Sequence, residues 1–411
     1  MIDFYDFYWR GTAKAIQSLA AAAKRGGGRD WLVGFFYGYA IQYGGKMQES
    51  QHLGMREVMD CPDIDFFCSP AMYSQRGPGG TSTFMSFTES IQMRGKLWWD
   101  EADNRTHLAK GRIHGQVTPA EDLWESLNVL EREYAHTVVR KSPIWWFDMA
   151  GGWYDDPGIL ALMAQMRVFG EQNDSAWEPE VQIAVFIDDK SSCRMAPESP
   201  YLHQITQFMA ELPRLGAPYH TYLLKDLSKA SRYRVYIFPL AFDLTGKERQ
   251  AIEALQKDEN TLLFMGATGV GRHEDGRVEI LPKTMFQAVR QQEGIQVQDH
   301  GTWCVAWSAT PEVSMPELRQ LLLSAPRVGT VHLYCEEDDA LYVGNGFVAL
   351  HAQHEGEKAI HFPERVTVKE LFTENPIETT ADTLTFYLKA KETRCFAVKP
   401  PATGEKDSLG Q

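Results

Sequence analysis

Residues 98–106 read Trp98-Trp-Asp-Glu-Ala-Asp-Asn-Arg-Thr106, which sets Glu101 just past an apolar run, beside two tryptophans and near Arg105. Aromatic faces can cover the apolar face of a sugar ring, while carboxylates and guanidinium groups take its hydroxyls. A glutamate in that setting can attack an anomeric carbon or steady the positive charge that develops there. A surface acidic turn is the plain alternative. Aromatic residues at the ends of neighbouring apolar runs favour the site.

A second candidate segment is Trp145-Trp-Phe-Asp-Met-Ala-Gly-Gly-Trp-Tyr154. Asp148 is flanked by aromatics and followed by a Gly-Gly loop that can approach a ligand closely. Trp145 and Phe147 alternate along a strand and read as core, whereas Trp153 and Tyr154 lie beyond the strand and read as substrate contacts. Tyr73 and Arg76 sit in a Gly/Pro-rich loop and could line the same cleft, although a structural turn explains those glycines equally well. Tyr37, Tyr39 and His52 follow an earlier apolar run and are weaker candidates, since a lone histidine is more often satisfied structurally. Trp99, with Glu101 and Arg105, completes the set.

These residues need strands to hold them. Residues 30–39, 63–70, 95–101 and 143–149 each read as a buried strand ending in polar residues, with helices between them. Thr12 to Lys24 is Ala-rich and amphipathic, and Thr118-Pro-Ala-Glu121 has the form of an N-cap, a first-turn proline and a glutamate at the third position. This is βα repetition, and in parallel βα barrels functional side chains sit at the C-terminal ends of strands. A second block repeats the grammar with strands at 181–187, 233–238 and 261–265 and helices near 201–215 and 245–256, the pattern of a flavodoxin-like sheet. A third is strand-dense (329–334, 340–343, 347–351, 366–368, 383–388) and reads as a small β-sandwich. The expected fold class is therefore multidomain α/β, with units at 1–173, 178–325 and 326–399 and a frayed tail at 400–411.

Bulk properties narrow the partners. A chain of 411 residues is too long for one ordinary core. A net charge of -14, from 55 acidic and 41 basic residues, argues against a nucleic-acid backbone or an anionic membrane surface. The six cysteines form no C-x-x-C pair, so a zinc cluster or dense disulfide framework is not expected. No apolar run approaches the roughly 20 residues of a membrane span. The chain reads as soluble and cytoplasmic, unless a signal was lost with a missing N-terminal part. No cofactor or metal is expected. Phe264-Met-Gly-Ala-Thr-Gly-Val-Gly-Arg272 is only a partial phosphate-loop pattern and reads as a tight turn.

Residues 28–155, with Gly34-Phe-Phe-Tyr-Gly-Tyr39, His52, Asp63-Ile-Asp-Phe-Phe-Cys-Ser-Pro-Ala-Met-Tyr73, Gly95-Lys-Leu-Trp-Trp-Asp-Glu-Ala-Asp-Asn-Arg-Thr106 and Trp145–Tyr154, resemble the later strands of a β-galactosidase-like glycoside hydrolase of the family 42 type. The order of the three blocks extends the resemblance to nearly the whole chain. It implies a (β/α) barrel, a class I amidotransferase-like trimerisation domain and a small β-domain. It also implies a carbohydrate partner, a homo-oligomer (a trimer) and a retaining mechanism in which Glu101 is the nucleophile. The elbow at residues 264–272 lacks the amidotransferase cysteine, so assembly rather than that chemistry is implied for the middle block.

Only four barrel strands are legible where eight are needed, and the acid/base glutamate of the first half has no counterpart here. Retaining hydrolysis needs two carboxyl groups about 5–5.5 Å apart. Asp148, Asp103 and Glu49 are possible substitutes, but nothing in the sequence places any of them opposite Glu101. A truncated chain, or a domain of a longer enzyme, inactive by itself, is the expectation. A non-catalytic carbohydrate-binding or oligomerisation module is the alternative.

Overall fold

The computed structural model describes residues 2–42, 49, 52–109, 118–196, 199–266, 270–272, 278–280, 294–324 and 331–401. It is a mixed α/β structure with two sheets of mainly parallel strands and a separate antiparallel sheet.

The first sheet runs β1 (Gly34–Phe36), β2 (Phe66–Pro70), β3 (Leu97–Ala102) and β4 (Ile144–Trp146) side by side in chain order, all parallel. Helices α1 (Ile2–Gly27), α2 (Met55–Met59), α3 (Thr88–Gln92), α4 (Leu123–Val138) and α5 (Pro157–Gln172) precede, connect and follow these strands. The four expected strands are present but shorter than expected, because the runs of apolar residues continue into loops. Helix α4 starts later than the Thr118 pattern suggests. Its N-cap is Asp122, whose carboxylate accepts the Glu125 amide at 2.8 Å. Both sites meet the N-cap rule, and the aspartate is the one the chain uses.

Alternation along β3 sorts its side chains between two environments. Trp98 and Asp100 are fully buried: Asp100 faces Glu133 and His136 of α4, and Trp98 packs edge-on against Phe84. Trp99 and Glu101 face the other way, where Trp99 meets Phe66 (centroids 5.3 Å apart) and Glu101 pairs in register with Pro70 and Trp145.

The second sheet has the order β11-β12-β8-β7-β5-β6, built from β5 (Ile183–Ile187), β6 (Tyr219–Leu223), β7 (Val235–Leu240), β8 (Thr261–Met265), β11 (Gln296–Asp299) and β12 (Cys304–Ser308). Apart from the antiparallel edge strand β11, this is the 2-1-3-4-5 order of a doubly wound sheet. Helices α6 (Pro200–Glu211), α7 (Gly246–Glu253) and α8 (Met315–Ser324) accompany it, and a short hairpin, β9 (Val270–Arg272) with β10 (Val278–Ile280), stands apart. Thr245 caps α7 in a reciprocal box with Glu248. The partial phosphate-loop pattern at 264–272 falls largely outside the described residues.

The C-terminal strands β13 (Ala340–Gly344), β14 (Phe347–His351), β15 (Gly356–Glu370), β16 (Glu378–Leu388) and β17 (Thr393–Lys399) form one antiparallel sheet, ordered β13-β14-β17-β15-β16. The expectation of a sandwich is corrected to this single sheet. A register break between His361 and Val366 lets the long β15 pair with both β16 and β17, and bulges of this kind bend a strand. Of the expected strand at 329–334, residues 329–330 lie outside the described set and Val331–Tyr334 joins no ladder.

Buried polar contacts join the sheets. Arg94 is bidentate to Asp226 (2.8 and 2.9 Å), and Arg140 reaches Glu89 at 2.5 Å while Glu89 accepts the Thr221 amide at 2.7 Å. Gly216 (φ +81°) accepts the Tyr334 and Cys335 amides through its carbonyl, and a Cβ there would lie 1.8 Å from the Cys335 oxygen. Gly216→Ala is therefore expected to lower stability by about 2–4 kcal/mol in urea titration, combining left-handed strain with overpacking. All six cysteines are buried thiols, and among the described residues no helix is long and apolar enough to cross a membrane.

Candidate functional site

The C-terminal end of β3 delivers Glu101 and, one turn of chain later, Asp103 and Arg105. The loop after β2 delivers Tyr73 and Arg76. These five come together. Arg76, 2% exposed, donates to the Asp103 carboxylate at 2.5 Å, and its guanidinium lies 4.6 Å from the centre of the Tyr73 ring. Arg105 is buried within the electrostatic reach of Arg76 and Asp103. Glu101 is itself buried, at 6% exposure. Burial pushes its carboxyl up, the Asp103 charge pushes it further and Arg76 opposes both, leaving it at about 7.

Aromatic rings frame this end of the sheet. Trp145 lies opposite Glu101 in register and contacts Phe36 (6.2 Å) and Phe147 (5.1 Å). Phe36 is 54% exposed, and Trp99, Trp145 and Phe147 are half-buried. The expectation that Trp145 and Phe147 are simply core is thus corrected: they belong to the partly open aromatic face that Glu101 shares.

The other candidates are placed differently. Tyr37 is buried and donates its hydroxyl to the Leu53 carbonyl at 2.6 Å. His52 packs on Tyr37 and Tyr39 (5.1 and 4.4 Å) and its Nδ1 accepts the Gly38 amide; burial drives its pKa down to about 4, so the ring is neutral. Asp148 accepts the Gly151 and Trp153 amides at 2.6 and 2.8 Å, so its carboxylate shapes the Gly-Gly loop. Trp153 and Tyr154 are both buried in a hydrophobic cluster with Leu130, Tyr134 and Ile159. The Tyr154 hydroxyl donates to the carbonyls of Ala102 (2.7 Å) and Asn104 (3.2 Å), which pins the turn immediately after Glu101. Reading these two as substrate contacts is corrected accordingly: Tyr154 positions the strand end. Glu49 is exposed, 3.5 Å from the Tyr5 hydroxyl.

The chain has the fold of family 42 glycoside hydrolases. A β-galactosidase from Bacillus circulans sp. alkalophilus superposes with a TM-score of 0.61 at 12% identity, over 97% of this chain and 68% of that one. One from the Antarctic haloarchaeon Halorubrum lacusprofundi gives 0.61 at 14% identity, over the same shares. A family 42 exo-carrageenase from Bacteroides ovatus gives 0.53 at 10% identity, over 97% of this chain and 56% of that one. No family sequence model matches, and no characterised protein matches by sequence.

Within that fold a cleft of about 630 Å³ lies elsewhere, lined by Gln182, Arg234, Tyr236 and Asn260 at the N-terminal ends of second-sheet strands. Ligands of doubly wound sheets bind at the opposite, C-terminal ends. Chemistry favours Glu101 over that cleft. Sequence reasoning missed Asp103 as the partner that fixes Arg76. Its position two residues after Glu101, on the turn leaving the same strand, was the available signal.

Proposed function

We propose that this chain is a glycoside hydrolase-related protein that binds β-galactosides or similar glycosides, with Glu101 as the nucleophile of a retaining double displacement. The reading rests above all on one observation: a buried glutamate at the C-terminal end of a parallel strand, on a face shared with half-buried Trp99 and Trp145. On this reading residues 1–173 are the second half of a (β/α)8 barrel. Residues 178–325 are an amidotransferase-like, trimerisation-type domain, residues 326–399 a small β-domain, and the working form a homo-oligomer.

The raised Glu101 pKa alone would suit a general acid. Its strand position and the opposing Arg76 charge favour the nucleophile. None of the three substitute carboxylates is set up as its partner, because Asp103 is held by Arg76, Asp148 by its own loop, and Glu49 is exposed beside α1. That favours binding without full turnover by this chain, the second reading.

The two readings separate by leaving group. A chain with a nucleophile and no general acid leaves unactivated β-galactosides intact but releases a burst of phenolate from a dinitrophenyl β-galactoside, whose leaving group needs no proton. A pure binding module gives no burst above a Glu101→Gln control.

A further inference from the structure

We propose that Asp100, Glu133 and His136 form a site for one divalent transition-metal ion, with zinc the best fit, buried directly behind the strand that carries Glu101. Asp100 comes from β3, and Glu133 and His136 sit one helical turn apart on α4, a Glu-x-x-His pair presenting both side chains on one face. Their potential ligand atoms all lie within 4.8 Å of one another. Movements of less than about 1 Å per side chain would bring them to the 2.0–2.2 Å bonds of a tetrahedral zinc site.

The second observation is the state of the polar atoms. Asp100 is 0% exposed, and both of its carboxylate oxygens are buried without a donor. Glu133 is also 0% exposed. Its Oε1 is unpartnered, and its Oε2 accepts from Ser82 Oγ (2.8 Å) and Asn104 Nδ2 (3.1 Å). Asn104 Oδ1, 2% exposed, is unpartnered too. Among the described residues no lysine or arginine pairs with Asp100 or Glu133: Arg76 is engaged by Asp103, and Arg132 by the carbonyls of Gly77 and Arg76. Two dry carboxylates without a cation are costly, and two acceptor-only groups can bond each other only by sharing a proton.

A divalent ion supplies the missing charge. His136 would bind such an ion as the neutral imidazole. One imidazole with two carboxylates suits zinc better than magnesium or calcium, which prefer all-oxygen sets. Ser82 Oγ, 3.1 Å from His136 Nδ1, is placed for the fourth position or for the outer shell. The Tyr342 hydroxyl accepts from the Ser82 amide at 2.7 Å, so the ion would also tie the C-terminal sheet to this junction.

The test uses the whole chain and does not depend on glycosidase activity. The chain is purified from medium supplied with zinc and manganese, dialysed, and analysed for bound metal; apo protein is then titrated with zinc or cobalt. One ion per chain is expected, with a melting temperature lowered by several degrees on chelation and restored by zinc. Asp100→Asn and Glu133→Gln are each expected to lose the ion. The wild-type chelation experiment decides the matter even if these variants fold poorly. Metal far below one ion per chain with either supplement, and a melting temperature indifferent to chelator and zinc, would overturn the proposal in favour of a shared proton. In that case Asp100→Asn would match or exceed the wild type in stability.

Discussion

Asp103→Ala is expected to lower stability by about 3–5 kcal/mol, the usual consequence of removing one partner from a buried ion pair. Arg76 is 2% exposed, and among the described residues its guanidinium would keep the Asp103 backbone carbonyl at 3.4 Å, the face of Tyr73 and the Glu133 charge, which makes no direct ion pair with it. The cost comes from the stranded charge. Replacing both residues, as in Arg76→Met with Asp103→Leu, should therefore recover much of the loss, since apolar replacements of buried pairs are often neutral. Urea unfolding of the single and double variants measures this. A single-variant loss under about 1 kcal/mol would show that Arg76 reaches water or another acceptor.

Glu101→Gln is expected to abolish covalent chemistry while raising stability at neutral and alkaline pH. The folded carboxyl titrates at about 7 against an ordinary value of 4.5, so the folded state holds the proton more tightly than the unfolded chain. The stability associated with that proton is fully present below about pH 4.5, is lost as pH rises towards 7, and stays lost above it. Glutamine imitates the protonated form. The variant should match the wild type near pH 4.5 and exceed it at pH 8 by on the order of 1–2 kcal/mol, after allowance for partial solvent screening. Thermal unfolding across that range checks the sign. A nucleophile must be ionised, so reaction with activated sugars should rise with pH through about 7; a general acid would show the opposite slope.

Much of the fold was legible because each first-block strand is a short apolar run closed by polar residues, and Thr261–Met265 matches its expected bounds. Strand β6, Tyr-His-Thr-Tyr-Leu, was not, because its polar residues hide the run: Thr221 carries the link to Glu89, and His220 bonds Tyr233. The cap of α4 slid from Thr118 to Asp122 because two good caps lie within one turn. The expected sandwich is a single C-terminal sheet, and the register break in β15 had a local signal in Pro363, since proline inside a strand is confined to edges and bulges.

The candidate site was legible where residues are neighbours in sequence and illegible where they meet through space. Trp98-Trp-Asp-Glu announces a strand ending in a carboxylate. Trp153 and Tyr154 look equally exposed on paper, yet the loop that Asp148 organises folds them back into the core. Asp100 gave no warning, since its partners Glu133 and His136 lie a helix away, although their one-turn spacing on α4 was visible in the sequence.

The most direct test of Glu101 as nucleophile is mass spectrometry of the chain after incubation with a fluorosugar β-galactoside carrying a dinitrophenolate leaving group. Attack by a carboxylate oxygen on the anomeric carbon expels dinitrophenolate and leaves a glycosyl ester that the fluorine makes slow to hydrolyse. One adduct per chain is expected, mapped to the peptide containing Glu101 and absent from Glu101→Gln. An adduct on another carboxylate, or an unmodified chain, would contradict that role.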